Sequence, residues 1–236
     1  MCVCQQYNYY MCLTLNKKFI AITLLIILFL SFVFALPSAF TSTPNYNYKI
    51  VIDAGHGGVD GGAVGRKTGK DENSLNLEYA FTLKEILERF NIKVIMTRTN
   101  LNGLYNPFSV NKKKDDMLKR KEIITKSGAN MVISLHMNSH SLSSPKGAQV
   151  FYKKGDLISK GLAESVQRIF LQTLPNAKIA PSIGDYYILN CSDIPSVIVE
   201  CGYLSNPEEE ALLLTDSHRQ LVCYSIFIGI LKYLSI

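Results

Sequence analysis

Short apolar runs alternate with longer helical repeats along most of this chain. The run 49–53 is apolar and partly β-branched and stops in a glycine-rich turn, which predicts a strand. Over 74–90, Leu75, Tyr79, Leu83, Ile86, Leu87 and Phe90 recur at three- and four-residue steps, which predicts a helix with one buried face. A strand over 92–97 follows, then a polar and basic stretch, then a helix over 115–126 that stops at Gly128, a residue suited to ending a helix in left-handed backbone. Further strands are predicted over 131–135, 147–152 and 196–199, and further helices over 157–174 and 217–234. Asn206, Pro207 and three glutamates mark another helix start: a capping side chain, a preset φ, and acids on the positive end of the dipole. Strands separated by helical patterns predict a three-layer α/β domain with a largely parallel sheet.

The first part of the chain has a different pattern. Residues 19–36 carry no charge and follow Lys17-Lys18, which predicts a secretory signal or a membrane anchor over 1–36. The length is close to the roughly 20 residues that span a bilayer, which favours an anchor, while Val33-Phe34-Ala35 would suit cleavage. The region before it is long, and Met11 would be a more conventional start. Residues 37–47 are polar and proline-containing and read as a linker, leaving 48–236 as the domain. Such an arrangement places the domain outside the cytoplasmic membrane, anchored through the N-terminal segment or secreted.

Charge and cysteine content change this picture little. The net charge of +6 suits an anionic partner, but surface lysines produce such an excess by default, and no arginine-rich or aromatic-interleaved patch points to nucleic acid. Cys2, Cys4 and Cys12 precede the apolar segment; Cys191, Cys201 and Cys223 fall in the domain, and none forms a Cys-x-x-Cys pair. Cys201 follows Glu200 and invites a nucleophile reading, but a small buried thiol is the expectation. A Cys191–Cys201 pair stays open at this point.

The candidate chemistry lies where the apolar runs stop. The first strand ends at His56 among glycines, a run over 133–135 stops at His136, and a run over 196–199 stops at Glu200. Glu72 falls just ahead of the long amphipathic helix. Two neutral imidazoles and one carboxylate with a fourth position open form the ligand set of a catalytic zinc site, and a further carboxylate beside it suits the general base of metal-assisted hydrolysis. A dinucleotide-binding turn is excluded, because the third glycine of that pattern would fall on Asp60. His140 lies in a serine-rich loop and His218 near a helix start, and both read as surface residues. Arg66, Lys67 and Lys70 read as a solvated loop, and Asn138 either orients substrate or closes a turn.

The blocks Ile52-Asp53-Ala54-Gly55-His56-Gly57-Gly58, Glu72-Asn73-Ser74-Leu75-Asn76-Leu77, Ser134-Leu135-His136-Met137-Asn138 and Val199-Glu200-Cys201-Gly202-Tyr203-Leu204-Ser205-Asn206 together resemble the zinc-dependent N-acetylmuramoyl-L-alanine amidases of bacterial cell walls. The stretch from Ile194-Pro195-Ser196 to Glu210 is closest to the spore-cortex (germination-specific) members. The resemblance implies a three-layer α/β/α domain with a mostly parallel, mixed sheet of the phosphorylase/hydrolase-like kind. It also implies zinc held by His56, Glu72 and His136, with Glu200 as the catalytic carboxylate. The implied reaction is hydrolysis of the amide between N-acetylmuramic acid and L-alanine in peptidoglycan, on the cortex side of a spore-former and as a step toward muramic lactam. An accessory protein holding the zinc-bound form is a further implied partner. The rival readings are a zinc carboxypeptidase acting on the stem peptide and a membrane-tethered, non-catalytic wall-binding protein. This chain departs from the family pattern in a long basic insertion over 100–116, in Asn73 after the implied ligand glutamate, and in Met137 after the second histidine.

Overall fold

The computed structural model describes residues 17, 19–31 and 48–235, which fall into two units. In the first unit, residues 17 and 19–31 are helical and exposed. Among the described residues, no helix is long and apolar enough to cross a membrane. Residues 32–36 of the apolar segment, the 37–47 linker, Met11 and the first three cysteines lie outside the described residues.

The second unit is built on a six-stranded sheet of β1 (Lys49–Ala54), β2 (Lys93–Met96), β3 (Met131–Asn138), β4 (Gln149–Tyr152), β5 (Ser182–Ile183) and β6 (Ser196–Tyr203). The order is β2-β1-β3-β6-β4-β5. All neighbours are parallel except β4 and β6, which run antiparallel, so the sheet is mostly parallel and mixed, as expected. The helices are α1 (Glu72–Arg89), α2 (Lys112–Lys126), α3 (Leu157–Thr173), α4 (Tyr187–Asn190), α5 (Pro207–Leu213) and α6 (Asp216–Leu234).

Strand alternation sorts the core into two layers. Ile50, Ile52, Ile133, Leu135, Val197 and Val199 face one side and pack with residues of α1, α3 and α6. Val51, Val132 and Ile198 meet Ile124 of α2 and Ile188 and Leu189 of α4 on the other. Three layers result. Each fully buried isoleucine or valine contributes about 1.5–3 kcal/mol relative to exposure, so the central strands anchor the unit. Their C-terminal ends form one edge, where ligand sites of such sheets are built.

Several boundaries differ from expectation, each for a physical reason. Helix α2 begins at Lys112 rather than 115, because the Asn111 side chain accepts from the Lys114 amide at 3.0 Å and caps it. Lys112, Lys113 and Lys114 are therefore its first turn, where a lysine run offers no apolar period to read. Strands β3 and β6 continue past His136 and Glu200, to Asn138 and Tyr203. The short β5 and α4 have no expected counterpart, being too brief to show a period. Helix α5 starts as its sequence predicts, with Asn206 Oδ1 accepting from Glu208 at 3.0 Å and Glu209 at 3.2 Å.

Candidate metal centre

The turn after β1 carries the first histidine in unusual backbone. His56 has φ 62°, left-handed for a residue with a side chain, a conformation that costs on the order of 1–3 kcal/mol unless its surroundings impose it. They do. Arg120 donates to the His56 carbonyl and, at 2.8 Å, to that of Ala54, while Arg98 reaches the carbonyls of Ala54 at 2.8 Å, Gly55 at 2.9 Å and Asn73 at 2.7 Å. Two buried guanidinium groups thus hold three successive carbonyls of the turn.

The two arginines are compensated to different degrees. Arg120 pairs with Asp53 at 2.6 Å and Asp116 at 2.6 Å, and Asp53 also accepts from Thr97 at 2.7 Å and Ser134 at 2.6 Å. Burial would raise the Asp53 pKa, but Arg120 and the two hydroxyls outweigh it and bring it down to about 2. Arg98 is drawn down to about 10 by burial and by the neighbouring Arg120, against the pull of Asp53 and Asp116. The sequence reading missed this support entirely. Its partners are up to 67 residues apart, a separation that leaves no local pattern.

Glu72, the first residue of α1, lies between the two histidines. Its Oε1 is 3.0 Å from His136 Nδ1 and 3.3 Å from His56 Nε2. Backbone and side-chain donors fix the rest of the carboxylate: Met137 N at 3.1 Å and Asn76 Nδ2 at 3.1 Å on Oε1, and Ala63 N at 2.8 Å on Oε2. Burial raises its pKa, but the two histidines outweigh this and hold the carboxyl well below the usual range. Donor atoms of His56, Glu72 and His136 all lie within 4.8 Å of one another. The imidazoles meet edge to face, with ring centroids 4.9 Å apart.

Two glycines make the room. A Cβ on Gly55 would run into the His136 ring, and one on Gly62, whose φ is +73°, would run into the Glu72 carboxylate. At the departures from the family pattern, Met137 is buried with its amide on Glu72, and Asn73 is buried with its carbonyl on Arg98.

Glu200 sits opposite His136 in the β3–β6 register, so the longer strands bring the two side by side. Burial raises the Glu200 pKa, offset by His136 and reinforced by Glu72, to about 7. Its Oε2 is buried with no hydrogen-bond partner. The cluster opens into a cleft of about 200 Å³ lined by His56, His136, Glu200, Tyr105, Lys113 and Tyr187.

The remaining candidates lie elsewhere or serve structure. His140 is an exposed loop residue whose amide donates to Ser205 Oγ at 2.9 Å, while His218, in the first turn of α6, is partly buried. Arg66 braces the carbonyls of His140 and Ser141, and Lys70 pairs with Glu78 at 3.1 Å. The Asn138 side chain accepts from the Ser139 amide at 2.8 Å, closing a turn. Cys191, Cys201 and Cys223 are buried and free, so the Cys191–Cys201 pair left open above is absent. Burial pushes the Cys201 thiol well up, which removes it as a nucleophile. Of the three glutamates of α5, Glu209 accepts from the amides of Tyr203 at 2.8 Å and Gly147 at 2.7 Å, and Glu210 from those of Lys67 at 2.8 Å and Thr68 at 2.9 Å. They tie loops as well as facing a helix dipole.

Residues 50–232 match the family model described as N-acetylmuramoyl-L-alanine amidase. The chain is similar to the germination-specific N-acetylmuramoyl-L-alanine amidase of Bacillus subtilis, 34% identical over 199 residues that cover 81% of this chain and 82% of the relative. Among solved structures it is similar to the CwlD amidase from Clostridioides difficile in complex with the GerS lipoprotein, at 36% identity and a TM-score of 0.77, covering 80% of this chain and 99% of that one. The catalytic domain of CwlV, an N-acetylmuramoyl-L-alanine amidase from Bacillus (Paenibacillus) polymyxa var. colistinus, is 29% identical with a TM-score of 0.71 and covers 80% of this chain and 99% of its own.

Proposed function

The chain belongs to the N-acetylmuramoyl-L-alanine amidase family, enzymes acting on peptidoglycan, and from that premise we propose that its hydrolysis is zinc-dependent, with the ion held by His56, Glu72 and His136 and Glu200 as the catalytic carboxylate. The donor set fits the group: two imidazoles and one carboxylate from three separate elements converge within 4.8 Å, the three-ligand pattern of a catalytic zinc site with room for a further ligand. The observation that carries the role of Glu200 is its buried Oε2, which has no partner although it lines the cleft beside those donors. An unpartnered buried carboxylate is costly unless its work lies with a ligand.

When bound, zinc supplies Lewis acidity, polarising the scissile carbonyl and making water nucleophilic near neutral pH. The chain's own residues do the rest. Glu200 takes a proton from the attacking water and passes it to the departing L-alanine amine, a transfer suited to a group with a pKa of about 7. Glu72 stays ionised, because its two histidines and three donors favour the charge. Tyr105, Lys113 and Tyr187 form the cleft wall that receives the substrate.

Similarity to the germination-specific and CwlD amidases supports a cortex substrate outside the cytoplasmic membrane. Stem removal there would prepare muramic acid for conversion to its lactam by another enzyme. The GerS lipoprotein found with CwlD supports an accessory partner for this chain too, one that stabilises the zinc-bound form. The domain over 48–236 would carry the activity and the N-terminal segment the export or anchoring.

Mass spectrometry of peptidoglycan incubated with the zinc-loaded full chain tests the reading. Intact stems with free L-alanine amino ends, absent with Glu200→Ala, are expected. Shortened stems would move the cut to a peptide bond, and unchanged peptidoglycan would leave a wall-binding protein or a missing activator.

A further inference from the structure

We propose that Asp60 is a positioning residue for His56, and that Lys113, from the basic stretch that departs from the family pattern, anchors Asp60 from outside. The inference rests on the reading of His56, Glu72 and His136 as a cation site.

The turn that carries His56 doubles back on itself. Gly57 N donates to Asp60 O at 2.8 Å, and Asp60 N donates to Gly57 O at 3.2 Å, closing a bridge directly after the left-handed His56. The closure brings Asp60 Oδ1 to 3.0 Å from His56 Nδ1. The other ring nitrogen, Nε2, faces Glu72 at 3.3 Å. The imidazole therefore lies between two carboxylates, one on each nitrogen, and only the Glu72 side also faces His136. His56 Nδ1 is buried and lacks a well-aligned acceptor, so the contact with Asp60 is close but not collinear.

A histidine that binds a cation through one nitrogen must carry its proton on the other, and a carboxylate at that second nitrogen fixes both tautomer and ring orientation. Asp60 occupies that place. Its Oδ1 also accepts from Gly62 N at 3.3 Å, and its Oδ2 lies 3.4 Å from Lys113 Nζ. Lys113 belongs to the first turn of α2, where the positive end of the helix dipole disfavours a cation. Asp115 and Asp116, the acids of that region, are turned away onto the amides of Asn106 and Leu104, both at 2.6 Å. The lysine instead pairs with Asp60, and both residues line the cleft. The line Lys113–Asp60–His56 connects the insertion to a ligand of the centre.

The test is zinc affinity of the full chain, measured by competition with a chromogenic chelator, together with the visible spectrum of the cobalt-substituted protein. Asp60→Ala is expected to weaken zinc binding about 10–100-fold and to alter the cobalt bands. Lys113→Ala should weaken it by less than about tenfold, as the outer member of the same line. Asp60→Asn retains an oxygen for Gly62 N but lacks the charge that makes His56 a stronger ligand. Affinity between wild type and Asp60→Ala is expected for it, which also decides the matter should Asp60→Ala fold poorly. Wild-type affinity in Asp60→Asn would mean that Asp60 only shapes the turn, and would overturn the inference. Unchanged affinity and unchanged cobalt bands in a folded Asp60→Ala would overturn it equally. Failure of the wild-type chain itself to bind zinc would overturn the reading of the centre, a different result from either.

Discussion

Two carboxylates flank His136, one at the start of α1 and one within β6, and their surroundings differ sharply. Glu72 is met by two backbone amides, one carboxamide and two imidazoles, and its pKa falls below the usual carboxylate range. Glu200 has a buried oxygen with no partner, and its pKa rises to about 7. Burial pushes both pKa values up. The difference lies in whether donors outweigh burial: at Glu72 the two imidazoles do, and at Glu200 burial prevails. A carboxylate held by many donors stays charged and immobile, as a ligand must. One left without donors can gain and lose a proton near neutral pH, as an acid–base group must. Pairs of titratable groups pushed apart in this way mark acid–base assignments in enzyme sites generally.

The largest expected effect comes from removing the unpaired member. Glu200→Gln should lower kcat by about 10²–10⁴-fold with little change in KM, read in a steady-state amidase assay. A KM effect without a kcat effect would break the comparison, because it would make Glu200 a binding group.

The held side can be loosened through the network beneath it. Asp53→Ala leaves the buried Arg120 with Asp116 as its remaining carboxylate partner, and denaturant unfolding should show a loss of about 3–5 kcal/mol. A loss under about 1 kcal/mol would show that the turn is held by something else.

The same pair predicts acid sensitivity. The Asp53 carboxyl titrates at about 2 in the folded chain against an ordinary value of 3.8. Its folded pKa is depressed, so the stability it contributes is fully present above the unfolded value and is lost as pH falls from about 4 through about 2. The amount is roughly 2–3 kcal/mol. Comparison of unfolding free energy at pH 6 and pH 3 in wild type and Asp53→Asn would detect it as a shallower acid slope in the variant.

The smallest effect belongs to one donor of Glu72. Asn76→Ala removes the bonds to Glu72 Oε1 and to the Gly55 carbonyl, both 3.1 Å, and should cost about 1.5 kcal/mol in thermal or denaturant unfolding. No cost would mean that the remaining donors suffice to hold the carboxylate.

Much of this contrast could be read from the chain before any coordinates. Apolar runs that stop at His56, His136 and Glu200 placed three groups at one sheet edge, because parallel strands share a C-terminal end. The long 3.6-residue period of α1 placed Glu72 at a helix start. What could not be read was the distribution of donors. Arg98 and Arg120 hold the His56 turn from positions with no periodic signal of their own, and Asp53 looked like the last residue of a strand. The continuation of β3 and β6 beyond His136 and Glu200 also escaped, since Met137, Asn138 and Cys201 do not extend an apolar run cleanly. That continuation sets His136 and Glu200 side by side. Lys113 was legible only as part of a basic insertion, and its contact with Asp60 joins a helix start to a turn with no shared pattern.

The most direct measurement is the zinc content of two purified variants, Glu72→Gln and Glu200→Gln, by elemental analysis beside the wild-type chain. If the donor-rich carboxylate is the ligand and the donor-poor one the proton carrier, Glu72→Gln loses zinc while Glu200→Gln keeps one equivalent. Zinc lost from Glu200→Gln and retained by Glu72→Gln would contradict that division of labour.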